Sequence, residues 1–200
     1  MLMKEIIIKL NGYINCKSDF YSVCDVFDNQ EIHLFRKVNI LNGSIDSGIF
    51  GASYLLSMCN QISKKDFQGE QIAFVDGEET SITDLAAQAC FMSNCFRLFS
   101  TRRSVSYLVS NALKQHNSNR MVEEIRELFQ IDKERFGKSI DATGHERYKA
   151  MAAVAYSHNK DIFCFPWFSK KRFECFNRNI TNLLDILSAL NKIVVLPLES

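Results

Sequence analysis

Apolar residues along this chain follow two periods, and the switches between them define the expected elements. Lys4 to Leu10 is a β-branched run and Phe20 to Phe27 alternates around Tyr21, Val23 and Val26, so both read as strands, with Glu31 to Phe35 as a third. Val38, Ile40 and Leu41 form a short apolar strand that enters a glycine-bearing loop and then a helical pattern reaching Met58. Gln71 to Val75 is a strand closed by the turn dipeptide Asp76-Gly77, Thr80 to Gln88 a capped helical turn, and Ala89 to Ser93 a further strand. From Asn94 the period becomes helical: Val105 to Leu113, then Met121 to Gln130, with Met121, Val122, Ile125, Leu128 and Phe129 on one face. Ala142 to Glu146 opens another helix that runs through Ala155, and Thr143 and Glu146 have capping-box spacing. Asp161 to Phe165 reads as a buried strand, Phe173 to Leu190 as a long helix with one apolar stripe, and Lys192 to Ser200 as a last strand. Strands alternating with helices predict an α/β fold with a mostly parallel sheet, the first strands forming an antiparallel part beside it.

The stretch Val38–Met58 has the strand, glycine loop and helix of a phosphate-binding site. Its loop, Gly43 to Ser53, matches the pattern GxxxxGK[ST] only at Gly43 and Gly48, because Ile49 and Phe50 stand where lysine and a hydroxyl would neutralise phosphate and hold Mg²⁺. Asp46 adds a carboxylate to the same loop. Losing one unit attraction and adding one repulsion are each about 3 to 4 kcal/mol at an effective dielectric of about 20, enough to weaken triphosphate binding roughly 10⁴-fold or more. The plainer reading is a strand-to-helix turn in which Gly43 and Gly48 supply unusual backbone angles and Asp46 or Ser47 caps the helix.

Composition narrows the partners. A net charge of +1, without basic runs, gives no electrostatic ground for binding nucleic acid or an acidic membrane. The start is too short and too charged (Lys4, Glu5, Lys9) for a signal peptide, and no run approaches the roughly 18 apolar residues of a membrane span. Seven scattered cysteines (Cys16, Cys24, Cys59, Cys90, Cys95, Cys164, Cys175) suit reduced thiols in a cytosolic protein, and the histidines (His33, His116, His145, His158) show no metal-ligand spacing, so no metal is expected. Tyr13, Phe20 and Tyr21 could stack on a nucleobase, although aromatics at such positions more often belong to the core. Eight glycines and two prolines are few for a nucleotide-handling machine. No linker or repeat interrupts the chain, which predicts one domain over residues 1–200, an α/β core from 1–93 and 151–200 with a helical subdomain at 94–150.

Taken in order, these pieces resemble the ATP-binding cassette ATPases of ABC transporters, a P-loop NTPase-like fold, over nearly the whole chain. LNGSIDSGIFGASYLLSM looks like the Walker A strand, loop and helix, and GEQIAFVDGEE like the strand and turn that follow. Asn94-Cys95-Phe96-Arg97-Leu98-Phe99 looks like the Q-loop, DATGHERYKAMAAVAY like the signature helix, and KDIFCFPWFSKKRF like Walker B and the D-loop. The resemblance puts the phosphate-loop positions at Gly43, Ser44, Asp46, Ser47, Gly48, Ile49 and Phe50, with the lysine replaced by Ile49 and the hydroxyl by Phe50. It puts the Q-loop glutamine at Asn94 and the signature at Thr143, Gly144, His145 and Glu146. The Walker B carboxylates fall on Pro166 and Trp167, and the switch histidine on Glu199.

Phosphoryl transfer is almost entirely positioning and charge stabilisation, so a site with these replacements is expected to have no catalytic residue left. The resemblance therefore implies a pseudo-ATPase, a scaffold or regulatory subunit beside another ABC ATPase subunit or a membrane permease, with a homodimer as a further arrangement. It would be cytoplasmic, held at the membrane only through a permease. No cofactor is expected, and ATP with Mg²⁺ would bind weakly at best. Two other readings stay open: a divergent subunit that lends Thr143 and Gly144 to a composite ATPase site in a heterodimer, and a binding module whose former phosphate pocket is made apolar by Ile49, Phe50 and Trp167.

Overall fold

The computed structural model describes residues 5–17, 22–42, 67–92 and 102–199. An antiparallel sheet contains β1 (Glu5–Lys17), β2 (Ser22–Phe35), β4 (Phe67–Val75) and β5 (Glu78–Thr80), in the spatial order β2-β1-β4-β5. A parallel sheet contains β3 (Val38–Asn42), β6 (Ala89–Phe91), β7 (Ile162–Cys164) and β8 (Ile193–Leu198), in the order β3-β8-β7-β6. The helices are α1 (Ile82–Gln88), α2 (Val105–Gln115), α3 (Val122–Leu128), α4 (Lys133–Phe136), α5 (Arg147–Ser157) and α6 (Lys170–Ala189), with a 3-10 turn at Ile140–Glu146. The α/β character, the parallel sheet and the antiparallel N-terminal part all follow the hydrophobic pattern.

The antiparallel sheet buries one face. Ile6, Ile8 and Leu10 of β1 point into the core while Lys9 faces solvent, as a period of two requires. Here the structure corrects the expectation of separate strands at Phe20–Phe27 and Glu31–Phe35, because β2 is a single strand pairing with β1 along its length. The break in pattern is a bulge: Leu10 faces Gln30 but Gly12 faces Phe27, so β2 carries one extra residue, and Asn29 absorbs it at φ 47°. The amide side chain of asparagine tolerates that left-handed conformation, so the ladder continues through what looks like a turn.

The inner parallel strands β7 and β8 are apolar because both of their faces are covered, whereas the edge strand β3 carries Asn39 and Asn42. Ile193 to Leu196 are all buried, as are Ile162 to Cys164. Against them lies α5, whose residues Lys149 to Ala155 are all buried among neighbours from α2, α3 and α6. Alanines at 150, 152, 153 and 155 leave room for this packing on every side. The buried Asn39 side chain joins the two sheets: its Oδ1 accepts from Phe35 N (2.9 Å), and its Nδ2 lies within donating distance of the carbonyls of Phe35 and Lys37 (both 2.9 Å) and Val194 (3.0 Å).

Ser81, Ser104 and Ser169 cap α1, α2 and α6 by accepting from Thr83 N, Tyr107 N and Arg172 N. The first cap places Thr80 in β5 rather than in the helix. The expected helix Met121–Gln130 is shorter at both ends: Met121 is the cap, its N–H donating to Glu124 Oε2 at 2.9 Å, and the chain leaves the helix before Gln130 at φ 52°. Asn117, Asn159 and Asn191 take the same left-handed conformation after α2, α5 and α6. Asparagine and glutamine thus occupy positions where glycine is usual. Among the described residues no helix is long and apolar enough to cross a membrane.

Candidate functional site

The signature-like residues sit where α4, the 3-10 turn and α5 meet. Asp132 starts α4 by accepting from Glu134 N (2.9 Å) and Arg135 N (3.1 Å), and these bonds, Arg135's first, hold its carboxyl below the usual range. Thr143 is fully buried, and its hydroxyl donates inward to the Ile140 carbonyl at 2.6 Å. Glu146 Oε2 accepts from Asp132 N at 3.1 Å, and its other oxygen lies 4.0 Å from Arg135. Neither contact is the reciprocal pair that Thr143 and Glu146 would make in a capping box, so that expectation is corrected. The cause is backbone geometry: Gly144, at φ 60° and ψ −123°, breaks the chain between the turn and α5, and Glu146 itself becomes the first cap of α5.

His145 is met by Arg135, whose Nη1 lies 2.8 Å from Nδ1 and 2.7 Å from Nε2. A guanidinium can only donate, so the imidazole is the acceptor in this contact. Asp141 and Arg147 pair at 3.6 Å across the same turn. The segment's polar groups are therefore engaged with one another. Sequence spacing gave no signal for Arg135 or Asp132, which approach Glu146 and His145 only because α4 folds back over the turn.

Pro166 and Trp167 follow β7, with Pro166 buried and Trp167 half-buried. This stretch keeps company with β8: Phe165 N donates to Val195 O (2.8 Å), Phe168 N to Pro197 O (3.0 Å), and Glu199 N to Phe168 O (2.9 Å). The Glu199 carboxylate accepts from Lys170 N at 2.7 Å and so holds the start of α6. Pro166, Trp167 and Glu199 are thus brought to one edge of the parallel sheet. The flanking Phe165 and Phe168 belong to an aromatic cluster: Tyr148 lies 5.7 Å from Phe165 and 5.9 Å from Phe168, Phe168 lies 6.3 Å from Phe173, and Arg172 covers Phe168 at 5.7 Å. Burial raises the Tyr148 pKa, opposed by Arg172 and Arg147. Tyr148 links this cluster to the signature-like turn, two residues after Glu146.

Asp161, the carboxylate that precedes β7, stands at the opposite end of that strand, paired with Arg36 (3.4 Å) and Lys192 (2.5 Å). Among the described residues no three His, Cys, Asp or Glu side chains could share a metal ion. The phosphate-loop positions Gly43 to Phe50 and the Q-loop-like Asn94 lie outside the described residues.

No protein-family model matches the sequence, and no curated protein matches it. Solved structures do match in fold. A bacterial Atm1-family ABC exporter with ATP bound superposes with a TM-score of 0.58 at 11% identity, covering 100% of this chain, which spans only 35% of the exporter's chain. A Pyrococcus furiosus protein described as "Putative ABC transporter (ATP-binding protein)" gives a TM-score of 0.60 at 16% identity, covering 98% of this chain and 90% of the other. A dimeric ATP-binding cassette in a post-hydrolysis state, bound to ADP and Pi, gives 0.58 at 13% identity, covering 96% and 87%. The chain has the fold of an ABC ATPase domain.

Proposed function

We propose that this chain is a cassette-like subunit that does not hydrolyse ATP and serves as a scaffold or regulatory partner beside an active cassette or a membrane permease. The observation that carries the reading is that Pro166, buried, and Trp167, half-buried, follow β7 at the positions where the resemblance implies a metal-holding aspartate and a water-orienting glutamate, and that Phe165 and Phe168 on either side of them pack with Tyr148 and Phe173. Neither a proline nor a tryptophan side chain offers a carboxylate to Mg²⁺ or a base to water. The inward-turned Thr143 hydroxyl supports the same reading and weighs against a composite site, in which that hydroxyl would have to face a phosphate held by a partner.

In this reading residues 94–150 are the helical subdomain and the remainder the α/β core, the chain works on the cytoplasmic side, and its partner is a second cassette, an arrangement supported by the dimeric neighbour. Calorimetric titration with millimolar Mg-ATP, followed by a phosphate-release assay, tests it. No saturable heat and no turnover above a blank are expected. Turnover abolished by Thr143→Ala or Glu146→Gln would overturn it, and partner-cassette turnover that depends on Thr143 would move the composite site ahead.

A further inference from the structure

The parallel sheet has a second edge. At the N-terminal ends of β3, β7 and β8 stand Arg36, Asp161 and Lys192, and the C-terminal end of α5 brings Tyr156 to the same place. Between them and the turn after α2 lies a cleft of about 370 Å³ whose polar lining includes Ser118, Arg120, Asn159, Asp161 and Lys192. Pro166, Trp167 and Glu199 occupy the other edge, a strand length away, about 20 Å for the six residues of β8.

The charges in this cleft do not balance. Asp161 already serves two cations, Arg36 and Lys192, and Arg36 also donates to the Asn191 carbonyl at 2.6 Å. Arg120 lies with its guanidinium carbon 5.0 Å from the centre of the Tyr156 ring, while Lys192 Nζ lies 5.3 Å from the same centre. Among the described residues Arg120 has this aromatic contact and no carboxylate. One aromatic ring therefore holds two cations at the mouth of a cleft, an arrangement that an entering anion would relieve. His158, between the lining residues Ser157 and Asn159, has its pKa pushed down to about 4 by burial first, then by His116 and Lys160.

We propose that this cleft binds a small phosphate monoester, held by the Arg120 fork and the Lys192 ammonium. The guanidinium presents paired donors to two phosphate oxygens, the ammonium a point charge to a third. Ser118 Oγ accepts from Arg120 N at 3.3 Å and keeps its own proton to donate. Asp161 holds Lys192 in place and excludes a more highly charged ligand by repulsion. The volume exceeds what a bare phosphate needs, and Tyr156 and Leu113 supply an apolar wall for an organic group. The cleft also opens along α2 into a shallower groove of about 480 Å³ that shares Leu113, Ser118 and Arg120. This site is independent of whether the chain binds ATP.

Calorimetric titration of the purified chain in low-salt buffer, with inorganic phosphate in one arm and glycerol phosphate in the other, tests the proposal. Glycerol phosphate is expected to bind at least threefold more tightly than inorganic phosphate, and Arg120→Gln to weaken it at least tenfold while leaving the thermal unfolding midpoint unchanged. Lys192→Gln should weaken it as well, but it also frees Asp161, so Arg120→Gln is the deciding variant. Equal or tighter binding of inorganic phosphate would overturn the monoester in favour of the free ion. Absence of binding in both arms, or binding that Arg120→Gln leaves unchanged, would overturn the site.

Discussion

Two glycines show how the same substitution can act through different physics. At Gly144 an added Cβ would meet nothing within 4 Å, so the barrier to replacement is the backbone conformation alone, φ 60° with ψ −123°. At Gly69 the φ of 138° is joined by a steric limit, since a Cβ there would lie 2.1 Å from the Asn11 carbonyl and 2.6 Å from the Gly12 Cα. Gly144→Ala is therefore expected to destabilise by about 1 to 3 kcal/mol, and Gly69→Ala by more, because two backbones in a paired ladder must also separate. Urea unfolding of both variants checks the order, and an equal or reversed ranking would show that the β1–β4 ladder yields easily at this point. The same residue-scale logic applies at Thr143: a buried hydroxyl is kept where its proton reaches a carbonyl, here that of Ile140, and a burial-driven choice of partner removes it from any surface role.

Between elements, the decisive contact is a single amide. Asn39 stands on β3 of the parallel sheet, yet its side chain closes the end of β2 at Phe35 and reaches the β8 backbone at Val194. Removing it with Asn39→Ala leaves carbonyls and an N–H without their partner, a loss of about 1 to 3 kcal/mol for each group left unsatisfied in a buried place. Asn39→Asp is the sharper test. It keeps an acceptor for Phe35 N but turns a carboxylate toward the carbonyls of Phe35, Lys37 and Val194, all of them acceptors. We expect Asn39→Asp to be less stable than Asn39→Ala at pH 7.5 and to recover part of the difference at pH 4.5, where the protonated acid can donate again. Unfolding curves at the two pH values read this directly, and a variant no worse than alanine at pH 7.5 would mean water has replaced the joint.

For the molecule as a whole, the burial of His158 at the end of α5, aided by His116 and Lys160, sets a dependence of stability on pH. His158 has a folded-state pKa of about 4, below the ordinary value of 6.5, so it is neutral when folded while the unfolded chain takes up a proton. Below about pH 6.5 protonation favours the unfolded chain, and stability falls progressively until the folded group titrates near pH 4. Linkage alone gives an upper bound of about 3 kcal/mol, and screening of this half-buried ring reduces it to about 1 to 2 kcal/mol. His33 acts in the opposite sense: the hydrogen bonds it donates to Glu5, then to Glu31, raise its pKa, so its contribution is complete below 6.5 and is lost as pH rises through the folded value. Comparing wild type with His158→Gln isolates the first effect. The two should differ least above pH 7 and diverge toward pH 4.5, with the variant losing less stability; parallel curves would remove His158 from the account.

The alternation of Ile6, Ile8 and Leu10, the continuous apolar runs at Ile162–Cys164 and Ile193–Leu196 and the stripe on α6 were legible in the sequence, because burial on one face, two faces or a helical face writes a different period. The order of these pieces sufficed to expect an ABC-like α/β fold with an antiparallel part. Local chemistry was less legible. The Asp28–Gln30 break conceals a bulge, since pairing with β1 outweighs the local turn preference of Asn29. The spacing of Thr143 and Glu146 suggests a capping box, but the φ of Gly144 and the approach of α4 give both side chains other partners. The scarcity of glycine, read as a sign against nucleotide handling, partly reflects asparagine and glutamine taking left-handed positions at helix ends. What the sequence determined by itself was the set of elements and the two-layer burial, both local consequences of side-chain period. Only the tertiary structure decided which polar groups meet, Arg135 with His145, Asn39 with Val194, and Arg120 with Lys192 on the Tyr156 ring, because each meeting joins residues whose separation along the chain carries no local signal.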